Sequence, residues 1–247
     1  MSVFLYSKIK IYLLFFFFNK YKNFFKFIIN NIKSSRSQVF QDLFVCYFSD
    51  LKNKGIFIEI GGGNGMDLSN TYMLEKKFSW KGVICEPDNR LHADILAKRK
   101  CFLEKKPVHN SSNKKIYFSF KEPYDSFITS KWSTSITSKW STSAKKMSAI
   151  SLNTLIKKYK LGKNIDYISI DTEGNELDII KKFNFKKFNV KIFTIEHNFK
   201  KNKRESIYKI LKKNNYERLF KYISYMDDWY VKKNTNKVNF FKNYKSI

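Results

Sequence analysis

Glu59, Gly61, Gly63 and Gly65 stand two residues apart in "FIEIGGGNG" at 57–65, directly behind a short apolar run. A backbone this bare lets a ligand lie against the chain itself. A dinucleotide fingerprint, G-x-G-x-x-G, does this for a pyrophosphate set on a helix N-terminus. It does not fit here: counted from Gly61 the last slot holds Met66, and from Gly63 it holds Leu68. The carboxylate of Glu59 is a poor neighbour for phosphate and a good one for an ammonium group. The plainer alternative is a glycine turn whose Glu59 caps the next helix.

A second acid sharpens the choice. Glu86, in "VICEPD", follows Gly65 by 21 residues and would end the next strand, where a ribose diol needs an acceptor. Two such acids describe a ligand with an ammonium, a second positive centre and a ribose but no phosphate, which is S-adenosylmethionine. The candidate cofactor contacts are Glu59, Gly61, Gly63, Asn64, Gly65, Glu86, Pro87, Asp88 and Asp171.

Methyl transfer is an in-line displacement that needs an aligned acceptor and, for a hydroxyl, a proton acceptor. "DTEGNE" (171–176) and "EHN" (196–198) supply Asp171, Glu173 and His197 as catalytic candidates. Asp171 would end its strand near the methyl group, and Gly174 would let Glu173 turn toward substrate. His197 has the ordinary pKa best suited to a base near neutrality, or else is a structural histidine. Glu176 suits the first turn of the following helix. A divalent ion on Asp171, Glu196 and His197 is conceivable, but their spacing is not diagnostic, and no metal is expected.

These residues must be positioned by alternating elements. Gly55–Ile60, "KGVICEPD" (81–88), "IDYISID" (165–171) and "VKIFTIEHN" (190–198) read as strands, with others near 101–108 and at "KIYFSF" (115–120). "SQVFQDLFVCYF", "SNTYMLEKK", "RLHADILAKR", "SLNTLIKKYKLG", "NELDIIKKF" and "RESIYKILKKN" read as helices, and "YERLFKYISYMDDWYVKK" as two final strands. The alternation predicts an α/β fold: a mostly parallel, doubly wound sheet finished by an antiparallel hairpin. Ligands of such sheets lie at the carboxyl ends of the strands. That gathers Glu59–Gly65, Glu86, Asp171 and Glu196–Asn198 on one rim.

The 247 residues fit one domain plus an arm. Cys46, Cys85 and Cys101 form no C-x-x-C pair, which suits a reducing cytoplasm. The formal charge of +27 comes almost wholly from lysine, in a chain also rich in Asn, Ile and Phe. That pattern follows A/T-rich codons, whereas nucleic-acid readers favour Arg, so a nucleic-acid partner is not expected. Residues 1–36 form a basic, aromatic arm before a domain at 37–247. The longest apolar run in the arm, Ile11–Phe18, is far short of the ~20 residues that span a bilayer, and no cleavage site follows it. Lysines among Phe, Tyr and Ile over 1–33 suit a helix on the inner membrane face, or one packed on its own domain or on a second subunit. "ITSKWSTS" at 128–135 recurs unchanged at 136–143, as expected of slippage tolerated in a loop. A lid carrying Trp132 and Trp140 is the functional alternative.

"FIEIGGGNG", "SNTYMLEKKFSWKGVICEPD", "SLNTL", "IDYISIDTEGNELDII" and "FTIEHN" resemble, in this order, the FkbM-type S-adenosylmethionine-dependent methyltransferases. The resemblance runs from about Ser37 to Val231. It implies a seven-stranded Rossmann-like methyltransferase fold and O-methylation of a saccharide, glycan or small-molecule hydroxyl. The chain departs from the family at Glu59, where Asp is usual, at Gly62, where Ala is usual, and at Phe40, where Gly is common. An RNA methyltransferase and a non-catalytic, membrane-associated binding protein are the competing readings.

Overall fold

The computed structural model describes residues 21–120, 127–129 and 143–233, with no side-chain description at 120, 127–129 and 143. Its strands are β1 (Ile56–Ile60), β2 (Lys81–Cys85), β3 (Phe102–Glu104), β4 (Val108–His109), β5 (Lys115–Phe120) and β6 (Phe127–Thr129). They continue with β7 (Ser143–Ser148), β8 (Ile150–Ser151), β9 (Asn164–Ile170), β10 (Asn189–Glu196), β11 (Tyr216–Leu219) and β12 (Asp227–Lys232). The helices are α1 (Lys22–Asn31), α2 (Gln41–Phe48), α3 (Tyr72–Phe78), α4 (His92–Lys98), α5 (Leu152–Lys158), α6 (Glu176–Lys182) and α7 (Lys201–Lys213).

The main sheet has seven strands in the order β11-β12-β10-β9-β1-β2-β3. The pairs β3–β2, β2–β1, β1–β9 and β9–β10 are parallel, and β12 runs antiparallel to both its neighbours. This is the Rossmann-like arrangement expected, with one refinement. The final hairpin does not hang at the margin; β12 inserts between β10 and β11. Consecutive Trp229 and Tyr230 explain this, because they point to opposite faces and both are buried. A strand apolar on both faces suits the inside of a sheet covered on both sides.

Side chains alternate across the sheet and feed two cores. Ile58, Ile168 and Phe193 face Leu155, Ile156, Ile179, Ile180, Ile207 and Leu211 from α5, α6 and α7. Phe57, Tyr167 and Trp229 face α1, α2 and α3 through Phe24, Phe27, Phe44, Tyr47 and Leu74. The chain leaves β1 toward β2 on one side and later returns to β9 on the other. That switch point opens a crevice at the strands' carboxyl ends.

Three local results bear on the expectations. "KIYFSF" is a strand, but it belongs to a separate antiparallel sheet in the order β6-β5-β7. Residues 130–142 of the octapeptide repeat, with Trp132 and Trp140, lie outside the described residues. The repeat begins within β6 and its last residue opens β7, so it joins the two strands that flank β5. Phe40 takes a left-handed backbone, φ 65°, which explains why glycine is common there. For a side chain this costs about 1–2 kcal/mol. The turn is held by the buried Asp42 carboxylate, which accepts from Ser35 Oγ (2.6 Å), the Arg36 amide (2.8 Å) and Ser37 Oγ (2.7 Å).

Part of the stretch read as an arm is packed into the domain. Phe24 and Phe27 of α1 are buried, and Phe24 stacks on Phe220 at 4.3 Å. Residues 1–20 lie outside the described residues. Among the described residues, no helix is long and apolar enough to cross a membrane. Replacing Phe24 with Ala should destabilise the protein by about 3–5 kcal/mol. Urea unfolding measures this, and a change below about 0.5 kcal/mol, the surface range, would mean that α1 is not docked.

Candidate functional site

The crevice has a volume of about 300 Å³ and opens beyond β1, β2, β9 and β10. Its floor is backbone. The Gly61 amide donates to the Cys85 carbonyl and the Asp171 amide to the Ile60 carbonyl, each at 3.0 Å, so the three strand ends are stitched together. Gly61 has φ +84°, and a Cβ there would collide with the Asp171 carbonyl oxygen. Asp67, Glu86, Asp171, Glu173 and Glu196 line the space, and among the described residues no Lys, Arg or His does. The chain carries 48 Lys and Arg against 21 acids, so this concentration of negative charge runs against its composition.

At one end, Glu86 Oε2 accepts from the Gly63 amide at 3.0 Å, and Oε1 from the Asp88 amide at 2.9 Å. Burial pushes its carboxyl up to about 7. Pro87 lines the crevice beside it. Asp88 does not: it caps the turn at Asn89–Leu91 and is gripped by the Arg90 guanidinium at 2.6–3.0 Å.

Glu59 also departs from its expected role. Its side chain is buried outside the crevice lining, accepting from Ser69 Oγ (2.9 Å), the Asn70 amide (2.6 Å) and Thr71 Oγ1 (2.5 Å). Arg99 Nη1 lies 3.7 Å from Glu59 Oε2. Burial raises the Glu59 carboxyl, against the pull of Arg99 and these donors. The residue therefore secures the entry to α3, which is the capping alternative. Its effect on the site passes through Asn70, which is buried in the lining with an unpartnered Oδ1 while its Nδ2 donates to Ser169 Oγ.

Asn64 and Gly65 likewise shape the loop without lining the crevice. Asn64 Oδ1 accepts from the Met66 and Asp67 amides at 3.0 and 2.9 Å. Gly65, at φ +77°, leaves room for Ile95 and Arg99. Gly61 and Gly63 do line it.

At the other end stand Asp171, Glu173 and Glu196. Burial, then Glu196 and Asp227 nearby, push the Asp171 carboxyl well above its ordinary value. Burial, then Glu173 and Glu176, raise Glu196 to about 8. Glu176 behaves as a helix-start residue, accepting from the Thr172 and Gly174 amides and from Lys203 Nζ at 2.7 Å. His197 is not in the lining. It follows Glu196 on the alternating chain and is buried behind it, Nδ1 accepting from the Phe199 amide at 3.0 Å and Nε2 lying 4.0 Å from Asp228. Burial lowers its pKa. His197 thus lies outside the crevice lining, and the carboxylates of Asp171, Glu173 and Glu196 are in it.

Sequence reasoning missed Arg99, Asn70, Gln41 and Asp227. Gln41 lines the crevice and donates to Asp227 Oδ2 at 2.7 Å across 186 residues of chain, a pairing with no local signature.

The sequence profile of the Methyltransferase FkbM domain matches residues 59–222. The chain belongs to the FkbM methyltransferase family. It is a methyltransferase, and the family implies S-adenosylmethionine as the general donor. Among solved structures, the chain is similar to a precorrin-6y C5,15-methyltransferase from Geobacter metallireducens GS-15, with 8% identity, a TM-score of 0.40 and 72% of each chain covered. A methyltransferase from Pyrococcus furiosus shares 11% identity at a TM-score of 0.38, over 76% of this chain and 79% of the other. A protein described as a putative RNA methyltransferase from Pyrococcus horikoshii shares 10% identity at 0.39, over 78% and 81%. No curated protein matches the sequence.

The raised Glu86 has a consequence for stability. Folding lifts its pKa from 4.5 to about 7, so between those values the folded chain binds the proton more tightly. Its contribution is intact below pH 4.5 and is lost as pH rises toward about 7. Subtracting the profile of Glu86→Gln from that of the ligand-free protein should expose a loss of up to about 3 kcal/mol over this window. Parallel profiles from urea melts would contradict the burial cost assigned to Glu86.

Proposed function

We propose that this methyltransferase takes its methyl group from S-adenosylmethionine, held in the described crevice, and delivers it to a hydroxyl of a saccharide, glycan or other small molecule. The observation that supports the reading is a crevice lined, among the described residues, by five acids and no Lys, Arg or His, in a strongly basic chain. Such a lining repels a pyrophosphate and favours a cationic ligand.

The residues fit the donor. Glu86, held by two backbone amides, is placed to accept from a ribose diol. The orphaned Asn70 Oδ1, a residue of the lining, offers an acceptor to an ammonium group in place of Glu59. Gly61 and Gly63 keep the floor clear of side chains. When bound, the donor supplies an electrophilic methyl on a sulfonium sulfur. Thr172, Glu173 and Asn198 present polar groups on the acceptor side, suited to orienting hydroxyls. Glu173 then takes up the proton that the attacking hydroxyl loses. Among the described residues the lining carries no Lys, Arg or His, which disfavours an RNA strand at the same place.

Calorimetry with full-length protein should detect S-adenosylmethionine, and Glu86→Ala should weaken it by at least about tenfold, the loss of one or two hydrogen bonds to a charged group. Unchanged affinity would exclude Glu86 from the ribose site. Labelled methyl appearing in RNA, and in no saccharide or small hydroxyl compound, would overturn the acceptor class.

Contact with an anionic membrane surface through residues 1–33 is part of the same proposal, supported by lysines set among aromatics. Because Phe24 and Phe27 are already buried in the domain, the contact would depend on residues 1–20. Removing those residues should abolish pelleting with anionic liposomes while leaving cofactor affinity unchanged. Equal pelleting would exclude the arm.

A further inference from the structure

We propose that Asp171, Glu173 and Glu196 bind one divalent cation of the oxygen-preferring kind, Mg²⁺, Mn²⁺ or Ca²⁺, on the acceptor side of the crevice. Each residue offers one carboxylate oxygen, and the three oxygens lie within 4.8 Å of one another. Opposite ligands of a bound ion stand about 4.0–4.2 Å apart around Mg²⁺ and about 4.6–5.2 Å apart around Ca²⁺. The cluster thus spans a cation of this size with little movement.

A separate observation points to a ligand. Glu196 is only 3% exposed, faces the crevice, and its Oε2 is buried without any hydrogen-bond partner. A buried carboxylate oxygen without a donor is costly, and a cation is the partner that repairs it. No protein cation is free to do so from the lining, since Lys, Arg and His are absent from it among the described residues. Lys203 is committed to Glu176 at 2.7 Å, and Arg204 to Asp228 at 2.7 Å. His197, which the sequence offered as a third ligand, is turned away toward Asp228. The donor set is therefore all oxygen, which selects a hard ion over zinc or copper.

Three carboxylates leave about three positions on a six-coordinate ion. Those positions would take water or acceptor oxygens, and two adjacent hydroxyls, as in a vicinal diol, would chelate best. The cation site does not depend on the methyl-transfer reading; the diol preference does.

Full-length protein titrated with Mn²⁺, followed by water-proton relaxation and electron paramagnetic resonance, should show one site tighter than about 1 mM, the weak end of protein Ca²⁺ sites. Ca²⁺ and Mg²⁺ should displace the Mn²⁺. Glu196→Gln and Glu173→Gln should each weaken binding at least tenfold, while Asp94→Asn, on exposed α4, should not. Mn²⁺ should also raise the Tm of the wild type more than that of either variant. If Glu196→Gln fails to fold, Glu173→Gln at its half-buried loop position carries the comparison. Absence of a Mn²⁺ site, or full binding by the folded variants, would overturn the proposal. So would displacement of Mn²⁺ by S-adenosylmethionine, which would assign these carboxylates to the donor's ammonium. Mn²⁺ binding without S-adenosylmethionine binding would instead overturn the cofactor reading and leave the cation site standing.

Discussion

The buried Arg99 guanidinium ties together the parts on which the glycine-loop side of the crevice rests. Its side chain is wholly shielded from solvent. It donates to Glu75 Oε2 and the Gly65 carbonyl at 2.9 Å, to Thr71 Oγ1 at 2.9 Å and to Ser69 Oγ at 3.2 Å, with Glu59 beyond. A charge in so dry a place is tolerated only with every donor engaged. Arg99 follows α4, Gly65 closes the glycine loop and Glu75 lies on α3, so one side chain locks three segments together. The same network fixes Ser69, Asn70 and Thr71 around Glu59, and so holds Asn70 in the crevice lining.

From that anchor the site is built by contrast with the rest of the molecule. Lysines spread across the surface give a net charge of +27, while five carboxylates converge on a small enclosed volume. A negative cleft with low-dielectric walls concentrates cations far more than an exposed acidic patch does. Glu86 at one end and Glu196 at the other both hold their protons unusually tightly because burial penalises their charge. A cationic donor and a divalent ion each relieve that penalty. The small sheet reaches the same space through Phe118 of β5, and the duplicated octapeptide joins the strands on either side of β5.

Much of this was legible along the chain, because strands buried on both faces and helices with one apolar face leave periodic traces. β1, β2, β9 and β10 appear as short β-branched runs, and the acids at the ends of the last three, Glu86, Asp171 and Glu196, land on one rim. The glycine spacing and Glu86 are local signals as well, and both line the crevice. Glu59 and His197 were misplaced for one reason. Position in sequence sets where a backbone passes, but a single step along an extended chain reverses the side chain's direction. Asp88 failed differently, drawn off by a neighbour, Arg90, that competes for its carboxylate.

The order of residues by itself determined the element sequence, the parallel sheet and the glycine-floored switch point, since each follows from patterns within a few tens of residues. Only the tertiary structure decided which carboxylates face the ligand and which are consumed by packing. Glu59 is paired with Arg99 from 40 residues away, Gln41 with Asp227 across 186, and Glu196 Oε2 is left without a hydrogen-bond partner beside Asp171 and Glu173. Hydrogen bonds and charge pairs reach only a few ångströms and ignore chain separation, so no local pattern encodes them.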